Sequence, residues 1–254
     1  MATYVLIPGA GGSAWYWHRL VPGLRARGHD AVAVDLPAAD DSAGLAEYTD
    51  VVVGAISNRD VLGAPLVVVA QSMGGFTGPL VCERVPVDLL VLVNAMVPSP
   101  GQSAGQWWDN TGHAQARADR AARDGRTVSD DVDPLEDFFH DVPAEVTAAA
   151  MAHGDLPQSR TPFLQPWPLQ TWPDVPTRVL QARDDRFFPA DFQRRVAQQR
   201  LGVTPDEMPG GHLVALSRPR ELADRLAAYL ADLPSPSCPA RPEDRALSRC
   251  ARPP

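Results

Sequence analysis

The chain contains no lysine: all 23 of its positive residues are arginine. That absence removes Schiff-base chemistry, the lysine of a nucleotide-binding P-loop and amine general bases, because each needs a titratable amine that a guanidinium does not replace. Cysteine is scarce too, with Cys82, Cys238 and Cys250 scattered and no CxxC pair. Neither a disulfide framework nor a zinc site is built from such spacing, and a Cys238–Cys250 bridge near the C-terminus is a minor alternative. No apolar run reaches membrane-spanning length, and "MATYVLIPGAGG" enters a strand without a basic leader. The expectation is a cytoplasmic protein with no membrane partner. A formal net charge of −8 supplies no basic face for a phosphate backbone, so no nucleic-acid partner is expected either.

What is present suits one large domain: 254 residues, 44% of them hydrophobic. Apolar runs alternate with helical pieces through the first third. "TYVLIP", "DAVAVDLP", "APLVVVAQ" and "VDLLVLVNA" read as strands; "WHRLVPGLRARG", "GLAEYTDVVVGAISN" and "MGGFTGPLVCERV" read as the helices between them. Continuous Val/Leu runs separated by helices predict an α/β fold, with a mostly parallel central sheet covered by helices on both faces. From about 99 to 173 the composition shifts to Gly, Pro, Gln, Trp and acids, with short helical pieces such as "AEVTAAAMAHG". The alternation then returns in "PTRVLQARDD", "PADFQRRVAQQRLG" and "RPRELADRLAAYLADL". The expected domain is therefore 1–233, with core 1–98 and 174–233 around a helical lid insertion. Residues 234–254, rich in Pro and Arg with little to bury, are expected to be disordered.

The stretch "VVVAQSMGGF" stops a buried strand at a serine set among small residues, Ala70-Gln71-Ser72-Met73-Gly74 with Gly75 following. A plain turn explains the glycines but not the serine at the apex. A strand-to-helix turn that presents a nucleophile explains both, since strand and helix pass close together there. A serine hydroxyl also needs a base, and the base an orienting acid. "VLQARDDRFFP" offers Asp185, four residues before Pro189, with Asp184 as the fallback, while Asn94 at the end of the preceding strand is an amide and cannot serve as the acid. "EMPGGHLVAL" places His212 in a loop before the last helix, third in the order Ser, acid, His. A lone loop histidine is ordinarily just solvated; the ordered partners set His212 apart from His18, His29, His113, His140 and His153. Two N–H donors for an oxyanion are expected at Met73 and, in the loop "PGAGGSAWYW", at Ala10.

These residues resemble the plant methylesterase and hydroxynitrile lyase branch of the α/β-hydrolase superfamily. The likeness runs through "VLIPGAGGSAWYWHRLVPGLRARGHDAVAVDL", "AQSMGG", "DRFFPADFQRRVAQQRLGV" and "GGHLVALSRPREL", and covers little of the insertion. It implies an α/β-hydrolase fold and a cofactor-free, metal-free serine hydrolase. Pro8 stands where family members usually carry a histidine. The cyanohydrin-cleaving members have a threonine at the position of Gly9 and a lysine at that of Leu213, so the resemblance implies ester hydrolysis, methylesterase-like, over cyanide release.

Rival readings come from other classes. Gly9 to Ala14 fits G-x-G-x-x-[GA] and Asp35 follows about twenty residues on, the fingerprint of an NAD-binding oxidoreductase. The bulk of Trp15, Tyr16 and Trp17 behind it suits a packed loop better. A cofactor-free lyase, cyclase or dehydratase using His212 as base, or a slow-turnover binding module, would keep the same residues. Trp107, Trp108, Phe138, Phe139, Phe163 and Trp167 in the insertion are expected either to wall an apolar pocket for a small apolar or aromatic substrate or to pack the lid's own core.

Overall fold

A computed structural model of the chain describes residues 1–58, 64–127, 132–154 and 157–233. The expectation of disorder for 234–254, and with it Cys238 and Cys250, lies outside the described residues. Six strands form one sheet: β1 (Thr3–Ile7), β2 (Asp30–Ala33), β3 (Leu66–Gln71), β4 (Leu89–Val93), β5 (Thr177–Ala182) and β6 (Asp206–Met208), in the order β2-β1-β3-β4-β5-β6. Every neighbouring pair is parallel. β6 has no counterpart in the sequence reading, because three residues reading Asp-Glu-Met carry no apolar run; it pairs at the edge with Leu180, Gln181 and Ala182.

Alternation along the strands sorts two cores. Val5, Ile7, Val68, Ala70, Leu90, Leu92 and Val179 face one side, while Tyr4, Leu6, Val67, Val69, Leu89, Val91 and Leu180 face the other. The first side is covered by α2 (Leu45–Ser57), α3 (Gly78–Cys82) and α9 (Ala190–Leu201). The second is covered by α1 (Leu20–Ala26), α10 (Val214–Ser217) and α11 (Pro219–Ala231). Burial on both faces is why the strands read as unbroken apolar runs, each fully buried Val or Leu being worth roughly 1.5–3 kcal/mol.

Between β4 and β5 the chain leaves the sheet and forms α4 (Ala104–Thr111), α5 (His113–Arg123), α6 (Pro134–Asp137), α7 (Ala144–His153) and α8 (Thr161–Leu164). α4 starts on a reciprocal cap, with Ser103 Oγ accepting from the Gln106 amide and Gln106 Oε1 accepting from the Ser103 amide. The chain passes from β1 outward to β2 and then back across to β3, so the loops after β1 and β3 diverge. Such a switch point opens a crevice at the C-terminal ends of the strands. The loop after β1 does not open a long helix there: a 3-10 turn at Ala14–Trp17 follows, and α1 begins only at Leu20. Asp35 accepts the Ala14 amide at 2.6 Å, so the two features that suggested a dinucleotide fingerprint fold onto each other.

Candidate active site

β3 delivers its last residue, Gln71, in extended conformation, and Ser72 then turns to φ 49°, the left-handed region that a non-glycine residue seldom occupies. That conformation costs on the order of 1–2 kcal/mol and must be held by its surroundings. The Met96 amide donates to Ser72 O at 2.9 Å, and close packing does the rest. A Cβ on Gly74 would lie 2.7 Å from Pro8 O, and one on Gly75 would strike the Met96 carbonyl. Ala70, the position where a glycine was expected, is accommodated across the turn: a Cβ on Gly78 would lie 3.0 Å from the Ala70 methyl. The single helix expected over "MGGFTGPLVCERV" is split into a 3-10 turn, Ser72–Phe76, and α3, because Pro79 has no N–H and sits at the start of a helix.

Ser72, His212 and Asp185 are brought together. His212 Nε2 lies 3.1 Å from Ser72 Oγ and its Nδ1 lies 2.8 Å from Asp185 Oδ2. The carboxylate only accepts, so Nδ1 carries the proton and Nε2 is free to accept from the serine hydroxyl. Asp185 is fully buried; its Oδ1 accepts from the Phe187 and Phe188 amides at 2.8 Å each. Asp184 points elsewhere: its carboxylate pairs with Arg183, which holds it below the usual carboxylate range, and accepts from the Gly210 amide.

Several neighbours have roles that the sequence did not disclose. Asn94, fully buried at φ 45°, donates from Nδ2 to Gly211 O and His212 O at 3.1 Å and accepts the Ala182 amide at 2.7 Å. It holds the histidine loop and never meets the imidazole. His113 donates from Nε2 to Phe187 O at 2.7 Å, and His140 to Asp184 O at 2.9 Å, so two insertion histidines grip the acid loop. Burial among aromatic rings pushes His113 down to about 4. Asp141 Oδ2 accepts the Gly211 amide at 2.8 Å, next to the base. No short motif announces any of these; they are single polar residues in a region whose pairing partners lie far along the chain.

The expected oxyanion donors lie at the same crevice. Met73 is in the first turn of its 3-10 helix, where amides have no intrahelical acceptor. Ala10 stands, exposed, in a turn that the Gly12 amide closes onto Gly9 O at 3.1 Å. Of the six aromatic residues expected at a pocket wall or in the lid core, Phe138 stands beside the base, its ring centroid 5.4 Å from the imidazole. Phe187 and Phe188, at 5.3 and 5.0 Å, complete an apolar surround. Trp108 packs behind them on Phe187 and Phe188. Trp107 and Trp167 do not form wall: both are sealed, at 1% exposure, with indole N–H groups donating to Val97 O and Phe76 O. Phe139 packs on the core of the opposite sheet face, and Phe163 on the core beneath α4 and α8. No cluster of three His, Cys, Asp or Glu able to hold a metal occurs among the described residues. Cys82 is half-buried, its thiol pushed up to about 12 and therefore inert.

A strand-end serine at positive φ, followed along the chain by its acid and then its base, has a counterpart in a known family. The model of the alpha/beta hydrolase family matches residues 4–225. The chain belongs to the alpha/beta hydrolase family. Within it, the expected likeness to plant esterases is borne out. The chain is 27% identical over 249 residues to probable esterase PIR7A of Oryza sativa, covering 88% of this chain and 94% of that protein. As an α/β-hydrolase fold it superposes on polyneuridine aldehyde esterase with a TM-score of 0.72 at 20% identity, over 91% of this chain and 99% of that one. The pyrethroid hydrolase of Sphingobium faniae JZ-2 gives 0.70 at 21% identity, over 91% and 98%. The matched span of this alpha/beta hydrolase takes in β1 through most of α11, and so every residue of the crevice described above.

Proposed function

We propose that the chain is a serine hydrolase that cleaves a small carboxylic ester, apolar or aromatic, through an acyl-enzyme. The observation that carries this is the unbroken relay from Ser72 Oγ through His212 to Asp185, at 3.1 and 2.8 Å, on a serine held at positive φ. His212 Nε2 takes the hydroxyl proton as Ser72 Oγ bonds to the ester carbonyl carbon. The carbonyl oxygen becomes an anion, which the Met73 and Ala10 amides stabilise. His212 then gives its proton to the departing alkoxide, the C–O bond breaks, and an alcohol leaves. Water repeats the sequence on the acyl-enzyme and frees the acid. Asp185 keeps its charge throughout, orienting the imidazole and stabilising the imidazolium. The esterase names borne by the relatives support this class of reaction, and the three phenyl rings around the imidazole favour an apolar acyl or alcohol group.

Cyanohydrin cleavage asks for a cation near the leaving group and a hydroxyl near the substrate oxygen. Leu213 follows the base, and there is no lysine in the chain. At Gly9 a side chain has no room: its Cβ would lie 2.6 Å from Gln71 Oε1 and 2.8 Å from Ser72 Cβ. A fluorophosphonate probe is expected to label Ser72 and nothing else, with p-nitrophenyl esters hydrolysed and no cyanide released from mandelonitrile. Ester turnover unaffected by Ser72→Ala, or cyanide release without ester turnover, would sink the proposal.

A further inference from the structure

The turn that carries Ala10 is tied to the lid by one side chain. Gly9 O accepts the Gly12 amide at 3.1 Å, and Gly11 adopts φ 82°, the angle that a type II turn reserves for glycine at its third position. The Gly9–Ala10 peptide is planar and trans, so its N–H points opposite to its C=O. Closing the turn onto Gly9 O therefore aims the Ala10 N–H outward, away from the turn. What remains to be fixed is the central peptide, Ala10–Gly11, which glycine lets flip at little steric cost. Its N–H is held: Gly11 N donates to Gln158 Oε1 at 2.9 Å, across 147 residues of chain.

Gln158 lies in the segment that returns from α7 to α8, and it is held at both ends. Its Nε2 donates to Tyr48 Oη on α2 at 3.1 Å and to Ser159 O at 2.9 Å. The adjoining backbone is pinned to the core loop after β2, with Ser159 N donating to Ala38 O at 2.6 Å and Thr161 Oγ1 to Asp41 O at 2.7 Å. The carboxamide is thus a fixed acceptor on the lid, placed against the one amide that reports the turn type. Resting on the serine-hydrolase reading above, we infer that Gln158 is a positioning residue through which the seating of the lid sets the oxyanion turn.

The role separates from pocket shaping by comparing two inhibitors that differ in one group. An aryl trifluoromethyl ketone adds Ser72 Oγ to its carbonyl carbon, the serine proton passing to His212, and leaves an oxyanion at the turn. The matching aryl methyl ketone stays a ground-state ligand. In the full-length protein, Gln158→Ala is expected to lower kcat on a p-nitrophenyl ester about tenfold, less than the ~100- to 1,000-fold typical of a deleted donor. KM should be unchanged, the trifluoromethyl ketone weakened by the same factor as kcat, and the methyl ketone unaffected. Tyr48→Phe removes only the acceptor for Nε2; it should give a smaller loss in the same quantities and none on top of Gln158→Ala. Unchanged kcat and trifluoromethyl ketone affinity in Gln158→Ala overturns the inference, as does equal weakening of both ketones or full additivity with Tyr48→Phe. If Ser72→Ala keeps wild-type turnover, it is the underlying hydrolase reading that fails, and the two results are read independently.

Discussion

At the scale of single residues, the two adjacent aspartates separate by what their oxygens face. Asp185 has both oxygens committed, one to two backbone amides and the other to His212. In Asp185→Asn the amide oxygen must keep the two backbone donors, which turns the NH2 toward Nδ1. The imidazole is then forced into the tautomer with its proton on Nε2, which cannot accept from serine. A turnover loss of roughly a thousand- to ten-thousandfold is expected, with the fold intact. Asp184→Asn removes an ion pair with Arg183 that solvent screens, and should leave stability and turnover almost unchanged. The reverse ranking in steady-state kinetics would reassign the acid. Asn94→Asp tests the neighbouring position. Its amide hydrogens point at two carbonyl oxygens, Gly211 O and His212 O, so the carboxylate oxygen that replaces Nδ2 meets acceptors only, while the other keeps the Ala182 amide. Denaturant melts should show a loss of at least ~2 kcal/mol, and adding Asn94→Asp to Asp185→Asn should restore no activity. Sequence order made Ser72, Asp185 and His212 legible because the first two stand just past recognisable strands and the third in the loop before the last helix. Asn94 was legible only as something that could not be the acid; its use depends on where two distant carbonyls come to rest.

At the scale of elements, the elbow is a matter of clearance between β3, α3 and β4. The alanine that replaces the expected glycine at 70 is matched by Gly78, the first residue of α3, beyond the 3-10 turn that starts at the serine. Gly78→Ala would set two methyls 3.0 Å apart and crowd Leu90 Cδ1 at 3.2 Å. Overpacking of this kind costs about 1–3 kcal/mol, partly offset by the roughly 1 kcal/mol that alanine gains over glycine in a helix. Removing the opposing methyl should relieve it, so Ala70→Gly combined with Gly78→Ala is expected to be more stable than the sum of the two single changes. Additive losses in chemical denaturation would mean that the two positions do not share the clearance. Helices and strands with a repeating apolar pattern were legible here, and boundaries were not. α1 starts at Leu20, later than the apolar pattern suggests, because Ser13 caps a separate 3-10 turn, and β6 is invisible because an edge strand needs only one buried residue, Met208.

At the scale of the whole molecule, the unbroken Val/Leu runs revealed a parallel sheet because both faces are buried. The lid's grip on the acid loop was hidden, since it rests on histidines that look ordinary in sequence. That grip has a pH signature. His113 is surrounded by Trp107, Trp108, Phe187, Phe188 and Phe192. Desolvation lowers its pKa from 6.5 to about 4; the Phe187 carbonyl and Asp185 oppose the shift, while Arg117 and His212 reinforce it. Between those two values the unfolded chain binds a proton that the folded chain refuses, so the number of protons bound is larger in the unfolded state and stability rises with pH. The contribution is intact above pH 6.5, declines as pH falls, and is fully lost below about 4. His140, also lowered by burial and by Arg186, acts in the same direction. Thermal unfolding followed from pH 7 to pH 4 is therefore expected to show a falling Tm. The slope should flatten in His113→Gln, which keeps an N–H for the Phe187 carbonyl and has nothing to titrate. Equal slopes in the two proteins would mean that His113 takes up its proton in the folded state as readily as in the unfolded chain, and that the lid holds the acid loop without keeping this imidazole neutral.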